Sequence, residues 1–173
     1  MLEVLGQLPS DLAAAVIAVL HLTPGHRSLL PNILQRGTNL AVKQAADGDM
    51  LERGTAYVAP PDAHLLATKG DRLRLDKSEL VHHVRPSADV LLLSLAQTQR
   101  DRCVAVVLSG TGIDGAAGAA AVKRAGGTVL AQDEATSEYF GMPGAAILAG
   151  GVDETLPLTR IGAAVVERVG KFA

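Results

Sequence analysis

Between Val104 and Asp133 the chain reads VAVVLSGTGIDGAAGAAAVKRAGGTVLAQD, and no other stretch restricts the fold as much. An apolar, β-branched run enters a glycine-punctuated turn, an alanine-rich segment of helical length follows, and a second apolar run closes the unit. Two strands separated by one helix need a crossover, so they lie parallel, and the crossover is right-handed. The spacing predicts strands at Cys103–Leu108 and Thr128–Ala131, a helix at Gly115–Ala125, and Gly126-Gly127 as its C-terminal cap.

The same rhythm recurs on both sides. Met1–Leu8 carries apolar residues at helical spacing before Pro9-Ser10-Asp11 interrupts it. LAAAVIAVLHL (Leu12 to Leu22) is too short to cross a bilayer, and Ala14–Leu22 reads as a strand apolar on both faces, as a central parallel strand must be. TPGH then turns the chain. Ser28–Arg36 reads as a helix with Leu29, Leu30, Ile33 and Leu34 as its buried stripe. LAVKQA, TAYVAP, HLLAT and RLRLD are short runs between turn signals, expected as strands and hairpins outside the wound core. Ser87 is placed to N-cap a helix over ADVLLLSLAQTQ. Pro143–Ala149 and Thr159–Val169 read as the last helices. The expectation is a single α/β domain over 1–173: a doubly wound, mostly parallel sheet flanked by helices, with a small antiparallel hairpin region in the middle of the chain.

Composition narrows the function. A net charge of −2, no Trp, two Tyr and two Phe leave neither a basic footprint nor stacking platforms for nucleic acid. No apolar run is long enough for membrane insertion. Cys103, the one cysteine, lies in an apolar run and reads as a small buried hydrophobe; no intrachain disulfide is possible, which suits a reducing, cytoplasmic setting.

Gly110, Gly112 and Gly115 spell G-x-G-x-x-G between a strand and a helix, and Asp133 follows where a ribose-binding acid belongs. Asp114 argues against a dinucleotide. It sits where a pyrophosphate would occupy the helix N-terminus, and a carboxylate there repels the anion. Its plain alternative role is to N-cap the helix at Gly115. His21 lies at the C-terminal end of another strand, the edge where catalytic side chains of open α/β sheets converge. An aspartate beside such a histidine can fix its tautomer.

Taken together, VLHLTPGHRSLLPNIL, AADGDMLERGTAYVAPPDAHLL, VRPSADVLL and VVLSGTGIDGAAGAAAVKRAGGTVLAQDEATSEYFGMPGAAILAGGVDETLPL resemble the catalytic domain of CheB-type chemotaxis protein-glutamate methylesterases. The resemblance covers nearly all of Ala14–Leu158. It implies hydrolysis of glutamate methyl esters on the cytoplasmic helices of methylated chemoreceptors, with glutamine deamidation in many members, through a Ser-His-Asp triad that needs no cofactor and no metal. By motif match, His21 corresponds to the base and Asp114 to the acid. Thr111 and Gly112 fall in the oxyanion turn, with Thr where many relatives carry Met. Arg85 and Met142 fall in segments near the active site. Implied partners are a receptor methyltransferase or a receiver domain, in a fused or separate chain; no receiver sequence is present here.

The family's serine lies on a turn further upstream of the histidine than this chain reaches, so the resemblance implies an N-terminally shortened domain. Ser10, Ser28, Ser78, Ser87, Ser94, Ser109 and Ser137 are the alternatives, and none sits in G-x-S-x-G. Ser109, at a strand end, is the one worth testing, against hydrogen bonding within its turn; Ser28 reads as facing solvent or substrate. The competing reading is a catalytically inactive binding module of the same fold. His26, His64, His82 and His83 read as surface-loop residues and no metal site. Arg85 is expected to pair with Asp89 unless it positions substrate.

Overall fold

The computed structural model describes residues 1–21 and 29–171. In chain order the elements are α1 (Leu2–Gly6), β1 (Val16–Ala18), α2 (Leu30–Gln35), β2 (Ala41–Gln44), β3 (Thr55–Val58), β4 (His64–Thr68), β5 (Arg72–Asp76), α3 (Ala88–Thr98), β6 (Val104–Val107), α4 (Ala116–Arg124), β7 (Thr128–Gln132), α5 (Gly141–Leu148), β8 (Glu154–Leu156) and α6 (Leu158–Gly170). A 3₁₀ turn at Arg100–Arg102 leads into β6. The architecture is the expected α/β one, with parallel sheets, flanking helices and one antiparallel pair.

The parallel strands form two groups, β1-β3-β2 and β6-β7-β8, and β4-β5 is the hairpin. Val104 to Val107 align with Thr128 to Ala131, as the crossover requires. Gly126, at φ +91°, closes α4, and the amides of Gly126 and Gly127 bond the carbonyls of Lys123 and Val122. That left-handed backbone favours glycine because a side chain there would crowd the carbonyl.

Two expectations about the middle of the chain need correction. LAVKQA and TAYVAP supply β2 and β3, which lie inside the parallel sheet: β3 pairs with β1 on one side and β2 on the other, and all four of its residues are buried. Only HLLAT and RLRLD form the hairpin. The turn signals around β3 mark sharp entry and exit from a central strand. The Ala14–Leu22 strand contracts to Val16–Ala18, and Leu20 is exposed beyond it; Leu22 and the TPGH turn lie outside the described residues. The expected stripe on α2 is also half wrong. Leu34 is buried and Leu30 packs on the core, whereas Leu29 and Ile33 are 65% and 53% exposed. Residues four apart share a face, and this six-residue helix turns only the 30/34 face inward. Strand β8 was not anticipated; at three residues it carries too little periodicity to read.

One apolar cluster ties both sheets together. Val4, Leu5 and Leu8 from the N-terminal segment and Ile161, Val165 and Val169 from α6 pack with Ala56 and Val58 of β3 and with Leu130 of β7. Val16 of β1 and Val104 and Val106 of β6 reach the same cluster but are only partly buried. A second cluster holds α3 and α4 against the other face of β6 and β7.

Candidate active site

The loops leaving β1 and β6 meet at one end of the sheets. His21, three residues beyond β1, places Nε2 2.8 Å from Oδ2 of Asp114. The histidine side chain is 28% exposed and the aspartate 3%, so the pair has an open half and a closed half.

Asp114 does not cap α4, as its sequence position suggests. Gly115 stands at the N-cap of α4, at φ +94° and with no side-chain cap. The carboxylate caps α3 instead. Oδ1 accepts from Ser87 Oγ at 2.6 Å and Asp89 N at 3.0 Å, and Oδ2 accepts from Ala88 N at 2.6 Å. Asp89, in the first turn of α3, accepts the Gly118 amide of α4 at 2.7 Å. Each helix start is therefore held by the other's aspartate. The helices approach closely at Gly118, where a β-carbon would lie 2.5 Å from that of Leu92.

Burial opposes ionisation of Asp114, but the donors from His21, Ser87, Ala88 and Asp89 outweigh it and hold its pKa down to about 2. A carboxylate depressed in the folded state adds stability above its unfolded value near 3.8, and loses it as pH falls through the folded value. Between pH 5 and pH 2 the protein should lose roughly 2 kcal/mol through this group. Urea unfolding across that range checks it: Asp114→Ala should show a clearly shallower loss than the wild type.

Asp114 is ionised at neutral pH and can only accept, so His21 Nε2 is the donor of this bond, and in the uncharged tautomer Nε2 carries the proton. The lone pair lies on Nδ1, which has no protein partner among the described residues. Around the loop, Gly110 N donates to Tyr139 O, Met142 N donates to Gly110 O, and the Met142 sulfur lies over the Gly110 backbone. Thr111 and Gly112 are exposed, Gly112 at φ +84°. Their amides donate no hydrogen bond among the described residues. Met142 thus abuts the turn.

Arg85 sits apart from the pair. Its guanidinium holds Asp62 and the carbonyls of Lys77 and Ser78, and it does not pair with Asp89, which takes His82 at 3.1 Å. Asp89 faces inward at the α3–α4 contact, and Asp62 is the carboxylate within Arg85's reach.

Serine geometry is equally plain. Ser109 N donates to Gln132 Oε1 and its hydroxyl accepts Tyr139 N, so it staples the turn. Ser87 is fully buried and gives its proton to Asp114. No described serine hydrogen-bonds His21; Ser28 and His26 lie outside the described residues. Gln132, a buried residue the sequence reading passed over, bridges Ser109 to Thr136 and holds the loop after β7. Only its place at the end of a strand could have drawn attention to it. Asp133 caps its own turn through Thr136.

His64 is wholly buried, which corrects its assignment to a surface loop: its ring nitrogens take Glu79 O and Ser87 N, leaving no need for water. His82, Asp89 and Asp114 bring possible metal-donor atoms within 4.8 Å of one another. All four carboxylate oxygens there already accept an N–H or O–H, so the trio is a hydrogen-bonded clasp. Cys103 is buried and its thiol is pushed up to about 12 by burial, far from nucleophilic. No helix among the described residues is long and apolar enough to cross a membrane.

The paired histidine and ionised aspartate thus lie at converging strand ends, and comparison with known proteins gives the family of the chain. The model of the family described as CheB methylesterase matches residues 1–165. The chain belongs to the CheB methylesterase family. It is 41% identical over 172 residues to a protein-glutamate methylesterase/protein-glutamine glutaminase of Pyrococcus horikoshii, covering 98% of this chain and 47% of that protein. It is 39% identical over 167 residues to the protein-glutamate methylesterase FrzG of Myxococcus xanthus, covering 96% and 50%. The crystal structure of the Thermotoga maritima CheB methylesterase catalytic domain superposes with a TM-score of 0.91 at 37% identity, covering 96% of this chain and 89% of that one. The chain thus spans about half the length of the curated CheB relatives it matches and nearly all of the catalytic domain.

Proposed function

We propose that this chain carries the ester-hydrolysing site of a cytoplasmic protein-glutamate methylesterase acting on chemoreceptor helices. The observation that carries the reading is the 2.8 Å bond between His21 and the buried Asp114 carboxylate, in a chain of this family. His21 Nδ1 takes the proton of an attacking hydroxyl as its oxygen bonds the ester carbonyl carbon. The same proton passes to the departing methoxide, releasing methanol and leaving an acyl ester. Water, activated by the same nitrogen, then cleaves that ester to free glutamate. The amides of Thr111 and Gly112, which donate to no described residue, are the oxyanion donors of this scheme, and Met142 supports their turn. A glutamine side chain offers an equivalent carbonyl, with ammonia as leaving group.

The attacking hydroxyl belongs, in this reading, to a serine outside the described residues. Two features support it. No described serine bonds His21. Among the described residues β1 and β6 lie at sheet ends with one strand partner each, and Val16, Val104 and Val106 are less buried than Ala56, Val58 and Leu130 of the same cluster. An extended parallel segment between β1 and β6 would satisfy both edges and present its C-terminal end to His21. Arg85, engaged with Asp62 and the carbonyls of Lys77 and Ser78, takes no step in this scheme.

The test is methanol release from a methylated receptor fragment, with the chain alone and with an extended form that includes any coding sequence ahead of Met1. Release in the extended form, with free glutamate appearing at the methylated positions, is the expected result. A folded extended form that binds the fragment and never releases methanol would establish the inactive binding module instead.

A further inference from the structure

We propose that Ser87, backed by the buried His64, is a positioning residue for the His21–Asp114 pair, beyond its role in capping α3. The proposal rests on the methylesterase reading, because it assigns Ser87 a part in preparing His21 Nδ1 as the base. A serine hydroxyl has one proton. Ser87 commits it to Asp114 Oδ1 at 2.6 Å, whereas the capping bond it accepts from Val90 N is long, at 3.4 Å. The stronger contact of this N-cap is thus with the carboxylate rather than with its own helix.

The hydroxyl is itself fixed from behind. Ser87 N donates to His64 Nδ1 at 3.1 Å, and His64 Nε2 reaches Glu79 O at 2.9 Å. A ring nitrogen that accepts an amide N–H carries the lone pair, so His64 is a neutral ring with its proton on Nε2. His64 belongs to β4 and Ser87 to the start of α3, two elements in direct contact. The hairpin therefore sets the Ser87 backbone and Ser87 Oγ sets Asp114 Oδ1. The other oxygen, Oδ2, then meets His21 in one orientation. The backbone amides of Ala88 and Asp89 bond one oxygen of Asp114 each, and Ser87 adds the short, buried side-chain bond that holds Oδ1.

The two roles separate cleanly by substitution. Ser87→Ala removes both the cap and the hydroxyl; Ser87→Gly removes the hydroxyl yet keeps a residue that starts a helix nearly as well as serine. The tautomer of His21 is read directly from two-bond proton–nitrogen correlations of its ring at neutral pH, in the chain as it stands. The wild type should show Nε2 protonated and Nδ1 bare. Both variants should show the two nitrogen shifts drawn toward each other as the tautomers mix. Where methanol release is measurable, kcat should fall about tenfold with KM unchanged.

A pure capping role predicts something else: Ser87→Ala melts earlier with the His21 pattern intact, and Ser87→Gly changes neither. That outcome overturns the proposal. Absence of methanol release in every form would sink the methylesterase reading while the ring pattern still decides Ser87; release with a pattern indifferent to both variants would sink only the Ser87 assignment.

Discussion

Asp114→Asn lowers kcat for methanol release by about 10⁴, and His21→Ala leaves no more than the residual rate that oxyanion donors and binding supply. The measurement uses whichever form of the polypeptide releases methanol, with substrate binding followed separately. The size follows from the donors around Asp114. Ser87 Oγ, Ala88 N, Asp89 N and His21 Nε2 all aim protons at its two oxygens. An asparagine presents one oxygen and one NH₂ group. If the NH₂ faces His21, it can only donate to Nε2, so the ring proton moves to Nδ1 and the base is lost. If it faces Ser87, it meets two donors with two more of its own. The same substitution should therefore also lower stability, by about 2 kcal/mol, because buried donors lose their acceptor. Unchanged turnover in Asp114→Asn would mean that His21 works without a fixed tautomer, and the proposed mechanism would fall.

Leu130→Ala should cost about 3 kcal/mol, read as a lower urea midpoint at constant slope. Leu130 is wholly buried in β7, with β6 on one side and β8 on the other. Its side chain lies in the cluster that joins α1 and α6 to both three-stranded sheets. A cavity there is not easily closed by a shift of one helix, because α6 packs on both β6 and β7 and on α1. The cluster also gives β1 and β6 shared packing partners, and the loops that leave those strands carry His21 and Asp114. The variant should accordingly weaken the pair as well as the fold, seen as broadened His21 ring signals well below the unfolding midpoint. A loss under 1 kcal/mol would show that the two sheets are coupled elsewhere.

What the sequence disclosed follows from which interactions are local. The crossover from Val104 to Gln132 was legible because strand, turn glycines, helix and cap all lie within one continuous stretch, and each obeys its own short-range rule. The α3 start was legible for the same reason, through Ser87. Strands β2 and β3 were misplaced because four residues between turns look alike whether they lie in a central sheet or at the rim. Only the partners, β1 and β2 around β3, decide that, and they are distant in sequence. The pairing of His21 with Asp114 was legible through family-like motifs. The carboxylate's capping of α3, a helix that begins 26 residues upstream, was not: every local rule assigns a carboxylate before Gly115 to the helix that follows it. Gln132 and His64 escaped because nothing in a sequence marks a polar residue as buried before its partners are known.

The exchange of aspartates between the starts of α3 and α4 bears on how such a protein changes over generations. Asp114 fastens one helix and Asp89 the other, so either residue is costly to lose even in a lineage with no ester left to cleave. His21 fastens little: among the described residues its side chain bonds only Asp114, and its ring is partly open to water. In descendants released from selection for turnover, the histidine position should diversify first, with the aspartate outlasting the chemistry it once served. An intact aspartate at this place is then a record of architecture, and under the proposed mechanism the histidine is the residue that would track turnover.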